Sequence, residues 1–268
     1  SALIAARWSW RAHRRGQADR LRPIIIASGG AHSSIGLAAN AMDADLVTAA
    51  VDDTGRLTAA AVRRTFAALS EQDQQRVCAV VATSGTTNIG VIDDLDGIGD
   101  FARANNVWFH VDGAYGAAAL CASSVRHLFV GIEKVDSFIV DPHKWLFGPY
   151  DCCALIYRDV RIGKAAHTQK AEYLDVLVQD ASAALDEAYN PADLAHHLTR
   201  RARGLPFWFS KSCTGAGTSA LAFITASAND APPRLKLVLS PFSNSSKFTP
   251  PAAFWANSPG SIPSKLFS

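Results

Sequence analysis

The sequence has almost no net charge, a single methionine, no CxxC pair and no long apolar run, and each shortage closes off a class of function. With 26 basic against 24 acidic residues the formal net charge is +2, so no global field favours nucleic acid or an anionic membrane. The five cysteines, at positions 78, 121, 152, 153 and 213, lack the spacing of a zinc or redox motif. Free thiols in a reducing compartment are expected, and hence a cytoplasmic location. No segment approaches the roughly 20 apolar residues of a membrane-spanning helix. Neither GxGxxG nor a P-loop occurs. Hydrophobic residues make up 49% of the chain and charged residues 19%, which is ordinary for a globular protein.

The N-terminal stretch SALIAARWSWRAHRRGQADRLRP is rich in arginine and poor in acids. That is a composition shared by transit peptides and amphipathic helices, and the helix is the favoured reading. Ala2, Leu3, Ala6 and Trp10 can share one face, with Arg7, Arg11, Arg14 and Arg15 solvated on another. A start at serine, with Met42 the sole methionine, reads as a fragment.

Strands alternate with helices up to about residue 165. RPIIIAS (22–28), RVCAVVATS (76–84), VWFHVD (107–112), DSFIVD (136–141) and CCALIYR (152–158) read as strands. Helices are expected over HSSIGLAANAM, after the turn VDDTG with Thr58 as N-cap, and over DLDGIGDFARANN (94–106), whose acidic start suits the helix dipole. This alternation predicts an α/β fold with a mostly parallel sheet flanked by helices. Residues 166–210 read as helix interrupted by a polar stretch. Beyond Lys211 serine and proline dominate and Asp230 is the only acid, so residues 211–268 read as an irregular tail unable to build a core.

Three residues fall where a parallel sheet places ligands, at the carboxyl ends of strands: His32 in SGGAHSS, Asp112 in HVDGAYG and Lys144 in DPHKW. Each alone has an ordinary structural explanation as a solvated, capping or turn residue. Together they describe a chemistry. A desolvated lysine amine can form a Schiff base with an aldehyde. An aspartate at a neighbouring strand end can hold a pyridine nitrogen protonated, and an imidazole can stack on the ring. Those are the requirements of pyridoxal 5'-phosphate. A metal site at His110 and Asp112 lacks further ligands at metal spacing, and His196–His197 reads as solvated surface.

The blocks ATSGTTNIGVIDDL (82–95), VWFHVDGAYG (107–116), DSFIVDPHKWLF (136–147) and RRARGLPFW (200–208) carry a resemblance. Over about residues 1–210 the chain resembles the group II pyridoxal-phosphate-dependent amino acid decarboxylases, relatives of aromatic-L-amino-acid decarboxylase with the fold-type-I architecture. The resemblance implies Lys144 as the Schiff-base lysine and Asp112 as the partner of the pyridine nitrogen. It implies His32 and Ala114 on the two faces of the ring, His143 with Asp141 near the cofactor phosphate, and Thr87 along its polar edge. Tyr189, in a loop that closes on substrate, is implied as a proton donor. An amino acid substrate and a homodimer with the active site at the subunit interface follow from the same resemblance. The HKW context leans towards aromatic substrates, with glutamate, diaminobutyrate and cysteine sulfinate open.

Two departures stand against the pattern. The glycine- and serine-rich phosphate loop expected upstream of the first helix does not precede SALIAARWSWR. After FWFS (207–210) the small C-terminal domain is expected to be absent or degraded, as a shifted reading frame would leave it. The competing expectations are a non-catalytic remnant, or another fold-type-I chemistry such as an aminotransferase or carbon–carbon lyase.

Overall fold

The structure, a computed structural model, describes residues 1–14, 21–169, 191–197, 199, 201–213 and 236–238. A seven-stranded sheet in the order β2-β1-β3-β4-β5-β6-β7 organises it. The strands are β1 (Ile24–Ser28), β2 (Asp45–Ala49), β3 (Val77–Thr83), β4 (Trp108–Asp112), β5 (Ser137–Val140), β6 (Ala154–Tyr157) and β7 (Lys236–Val238). From β2 to β5 every pairing is parallel; β6 and β7 join antiparallel. The mostly parallel sheet expected from the alternation of elements is therefore present.

Helices cover both faces. On one lie α1 (Ala2–His13), α2 (Ser33–Ala41) and α6 (Val160–His167), packed on Ile25, Ala27, Ala79, Val81, Trp108 and Tyr157. On the other lie α3 (Ala59–Ala67), α5 (Leu95–Ala104) and α7 (Gly204–Cys213), whose Phe207 joins a cluster with Ile26, Val80, Phe109 and Phe138. With both faces covered, the central strand β3 is buried at every position, which is why it reads as one unbroken apolar run.

Two elements escape the sequence reading for physical reasons. The edge strand β2 alternates half-buried and exposed positions, and Leu46 is left in solvent, so it lacks the apolar signature of a central strand. The short helix α4 (Glu71–Arg76) buries no residue. Its support is the Ser70 cap on the Asp73 N–H and the Arg76 pair with Asp73, neither of which leaves a periodic pattern. The Thr58 cap on α3 is present, accepting from the Ala61 N–H.

The arginine face of α1 differs from the expectation. Arg7, Arg11 and Arg14 are half-buried, with the Arg7 guanidinium donating to the Met42 carbonyl at 2.6 Å. The helix packs against α6, and Arg7 reaches the end of α2 at Met42, so its second face is covered as well. Arginine tolerates this because its stem is apolar. No helix among the described residues is long and apolar enough to cross a membrane.

Asp93, 1% exposed, fastens the end of β3 to the loop before α3. Its carboxylate accepts from the Thr83 N–H at 2.7 Å and the Leu57 N–H at 2.8 Å, and its own N–H donates to the Thr83 carbonyl at 3.0 Å. Burial pushes the Asp93 carboxyl up to about 6, against the pull of the two backbone donors. The folded chain then holds this proton more tightly than the unfolded chain, whose ordinary value is 3.8. The stabilisation is complete below about pH 4 and is lost as the pH rises through about 6, an effect on the order of 3 kcal/mol. Urea unfolding from pH 4 to 7 should show this decline in the wild type and a flatter profile in Asp93→Asn. Parallel profiles for the two proteins would refute the assignment.

Candidate active site at the carboxyl ends of four adjacent strands

Strands β1, β3, β4 and β5 are consecutive neighbours in the sheet and run the same way. Their carboxyl ends therefore meet along one edge, and each is followed by a segment carrying a singled-out residue. His32 follows β1, Thr87 follows β3, Asp112 ends β4 with Ala114 just beyond it, and Asp141, His143 and Lys144 follow β5.

Backbone hydrogen bonds stitch these segments together. The Ser84 N–H donates to the Asp112 carbonyl at 2.9 Å, and the Gly113 N–H to the Ile139 carbonyl at 3.1 Å. The Asp141 N–H donates to the Ala114 carbonyl at 3.1 Å, so the lysine-bearing segment hangs on the aspartate-bearing one. Between the β3 and β4 segments the contact is backbone on backbone. A Cβ placed on Gly116 would lie 2.4 Å from the Ser84 carbonyl oxygen and 2.6 Å from the Gly85 Cα. Gly85 also has φ +93°, a conformation glycine adopts without strain.

Asp112 is buried, 8% exposed, and its Oδ1 accepts from the Ala114 N–H at 3.1 Å. Strand alternation turns it to the same face as Trp108 and His110, the face covered by α1 and α2. Behind it, His110 Nδ1 lies 2.9 Å from Ser137 Oγ, which also accepts the Trp108 indole N–H at 2.9 Å. Burial holds the His110 imidazole well below its ordinary range, outweighing the opposite pull of Asp112, so the ring is neutral.

Lys144 stands differently from the sequence expectation of a desolvated amine. Its side chain is 38% exposed, and Nζ forms an ion pair with Asp141 Oδ2 at 3.0 Å. The apolar residues around it do not enclose it: Trp145 stacks on Tyr115 with ring centres 5.3 Å apart, and Phe147 is 83% exposed. The chain turns immediately after β5, with the Lys144 N–H donating to the Asp141 carbonyl, and this turn carries the side chains outward. Asp141 lies between the two neighbouring side chains, its Oδ2 at 3.0 Å from Lys144 Nζ and 3.9 Å from His143 Nε2.

His143 is anchored to the start of β6. Its Nδ1 lies 2.5 Å from the Cys152 carbonyl oxygen and 3.1 Å from the Cys152 nitrogen, while Nε2 stands 3.9 Å from Asp141. His32 is exposed and caps α2, its Nδ1 accepting the Ser34 N–H at 3.2 Å, an arrangement that leaves the proton on Nε2. Thr87 is exposed; the buried threonine of that loop is Thr86, which accepts the Val91 N–H. Tyr189 lies outside the described residues. Among the described residues no group of three His, Cys, Asp or Glu side chains is arranged to hold a metal. His110, weighed in the sequence only as a metal ligand, and Ser137, not singled out there, stand behind Asp112. The alternation in HVD, which places His110 on the Asp112 side, was the signal available for one of them.

Residues 1–218 match the pyridoxal-dependent decarboxylase conserved domain. The chain belongs to that family. It is 31% identical over 159 residues to the aromatic-L-amino-acid decarboxylase of Bacillus atrophaeus, covering 59% of this chain and 32% of the relative. It is 36% identical over 206 residues to the L-2,4-diaminobutyrate decarboxylase of Rhizobium meliloti (strain 1021), covering 75% and 40%. Among solved structures, that of Oryza sativa TDC with PLP and tryptamine superposes with a TM-score of 0.72 at 27% identity, covering 85% of this chain and 47% of that one. Mouse CSAD gives a TM-score of 0.69 at 28% identity, covering 85% and 49%. The chain thus spans between a third and a half of the length of these relatives.

The glycine contact can be tested directly. Gly116→Ala forces backbone apart at the junction of two strand ends and should destabilise the fold by about 1–3 kcal/mol, as overpacking does. Chemical denaturation measures this; an unchanged midpoint would mean that the loops part freely.

Proposed function

We propose that the protein containing this chain uses pyridoxal 5'-phosphate to decarboxylate an L-amino acid, giving an amine and CO2. The observation that carries this reading is the union of Asp112 and Lys144. They occupy adjacent strand ends and are joined through the Ala114–Asp141 backbone bond and the Asp141–Lys144 ion pair. The donor set fits the cofactor: an accessible amine, a buried carboxylate and an imidazole on one sheet edge. Family membership adds independent support.

When bound, the cofactor supplies an aldehyde that takes up an amine and a pyridine ring that accepts an electron pair. Lys144 is the amine that would hold it covalently. Asp112 would hold a proton at the ring nitrogen, and its burial would strengthen that interaction because little water screens it. His32 and Ala114 would bound the ring, Thr87 would line its polar edge and His143 would hold its phosphate. Tyr189 is assigned the proton donation. Asp141, which pairs with Lys144 at 3.0 Å, would assist His143 at the phosphate. Placement of the substrate between these walls decides which of its bonds is set to break.

In the same reading residues 1–210 are the cofactor-binding domain, and the protein is cytoplasmic and homodimeric. Exposed Phe147 and Tyr150 beside the lysine segment support coverage of that edge by a second copy. The flat Tyr115–Trp145 pair next to Lys144 favours an aromatic substrate.

Adding pyridoxal 5'-phosphate should produce visible absorbance that Lys144→Ala abolishes. Asp112→Asn should lower turnover at least about a hundredfold. The chain and its full gene product should be screened for CO2 release and for keto-acid formation. Keto acid without CO2 would replace the decarboxylase reading with an aminotransferase one; no absorbance change at all would leave a non-catalytic remnant.

A further inference from the structure

Thr83, the last residue of β3, is 5% exposed, and its hydroxyl oxygen is buried without a hydrogen-bond partner. Such a group is unfavourable in a folded chain and is rare enough to call for a reason. The backbone of Thr83 gives none, because both its polar groups are engaged. Its N–H donates to the Asp93 carboxylate at 2.7 Å and its carbonyl accepts the Asp93 N–H at 3.0 Å. The residue is clamped, and the hydroxyl is left over.

Its neighbour indicates where the donor could be used. Thr83 is the register partner of Asp112 in the parallel pairing of β3 and β4. Register partners there share a face: Ala79 and Trp108 point to one side, Val80 and Phe109 to the other. Thr83 and Asp112 therefore stand side by side on the α1–α2 face, about 4.8 Å apart along the hydrogen-bonding direction. The Ala114 N–H restrains only Oδ1 of Asp112.

We propose that Thr83 is a positioning residue for Asp112. When the cofactor ring is in place, the Thr83 hydroxyl turns to donate to the Asp112 carboxylate and holds it against the ring nitrogen. A single χ1 rotation between staggered wells is the motion required. The inference rests on the function proposed above, and it gives that site a residue to which the resemblance assigns no role.

Thr83→Val keeps the branched shape and deletes the donor, whereas Thr83→Ser keeps the donor. Cofactor affinity is read from absorbance on titration with pyridoxal 5'-phosphate, and the Tm of each cofactor-free chain from thermal unfolding. The valine variant should bind about tenfold more weakly, as expected for one hydrogen bond to a charged group. The serine variant should bind like the wild type. Without cofactor the valine variant should melt no lower than the wild type, since it loses only an unpaired hydroxyl.

Equal affinity of the valine and wild-type chains overturns the proposal. A lower Tm of the cofactor-free valine variant overturns it too, because the hydroxyl would then serve the fold itself. A wild-type chain that takes up no cofactor defeats the proposed function and this inference with it. That failure is recognised before any variant is compared.

Discussion

The site depends on the close approach of two backbones. Where the β3 and β4 segments meet at Gly85 and Gly116, no side chain intervenes, and the Ser84 N–H reaches the Asp112 carbonyl. This contact sets how far apart consecutive strand ends can splay. Ala114 passes the same constraint to the β5 segment through its carbonyl. Chemical groups brought by separate strands are therefore placed by main-chain geometry, which is stiffer than any surface side chain could make it.

The two faces of the sheet contribute unequally. The α3–α5 face is a continuous apolar cluster that supplies adhesion. The α1–α2 face is interrupted by polar groups along β4: a neutral His110 held through Ser137, and then Asp112 at the rim. Polarity rises towards the carboxyl edge along a single strand. A buried carboxylate there is strongly felt by any cation, since low local dielectric amplifies charge. The neutrality of His110 leaves Asp112 without a competing positive charge on its own strand.

Much of this was legible in the sequence. Unbroken apolar runs such as RVCAVVATS announce central strands, and HVDGAYG and DPHKW place an acid and an amine at strand ends. What could not be read was relational. β2 lies at an edge and alternates, so its pattern is faint. α4 is held by a cap and an ion pair rather than by burial. The exposure of Lys144 is not legible, because its apolar neighbours in sequence are not its neighbours in space; the turn after Val140 sends Trp145 and Phe147 outward. Thr83 gave no signal, because a threonine closing a strand is unremarkable until its hydroxyl is found unpaired.

The antiparallel pairing of β6 has a consequence for the lysine. The segments after β1 and β3 lead away into helices at one end, but the one after β5 returns to the same rim, with Val140 paired to Ala154. Lys144 therefore rides on a closed arch with both feet on the sheet, and His143 pins one foot to the other through Cys152. The amine is thereby set at the rim, paired with Asp141, on a segment whose two ends are both fixed to strands.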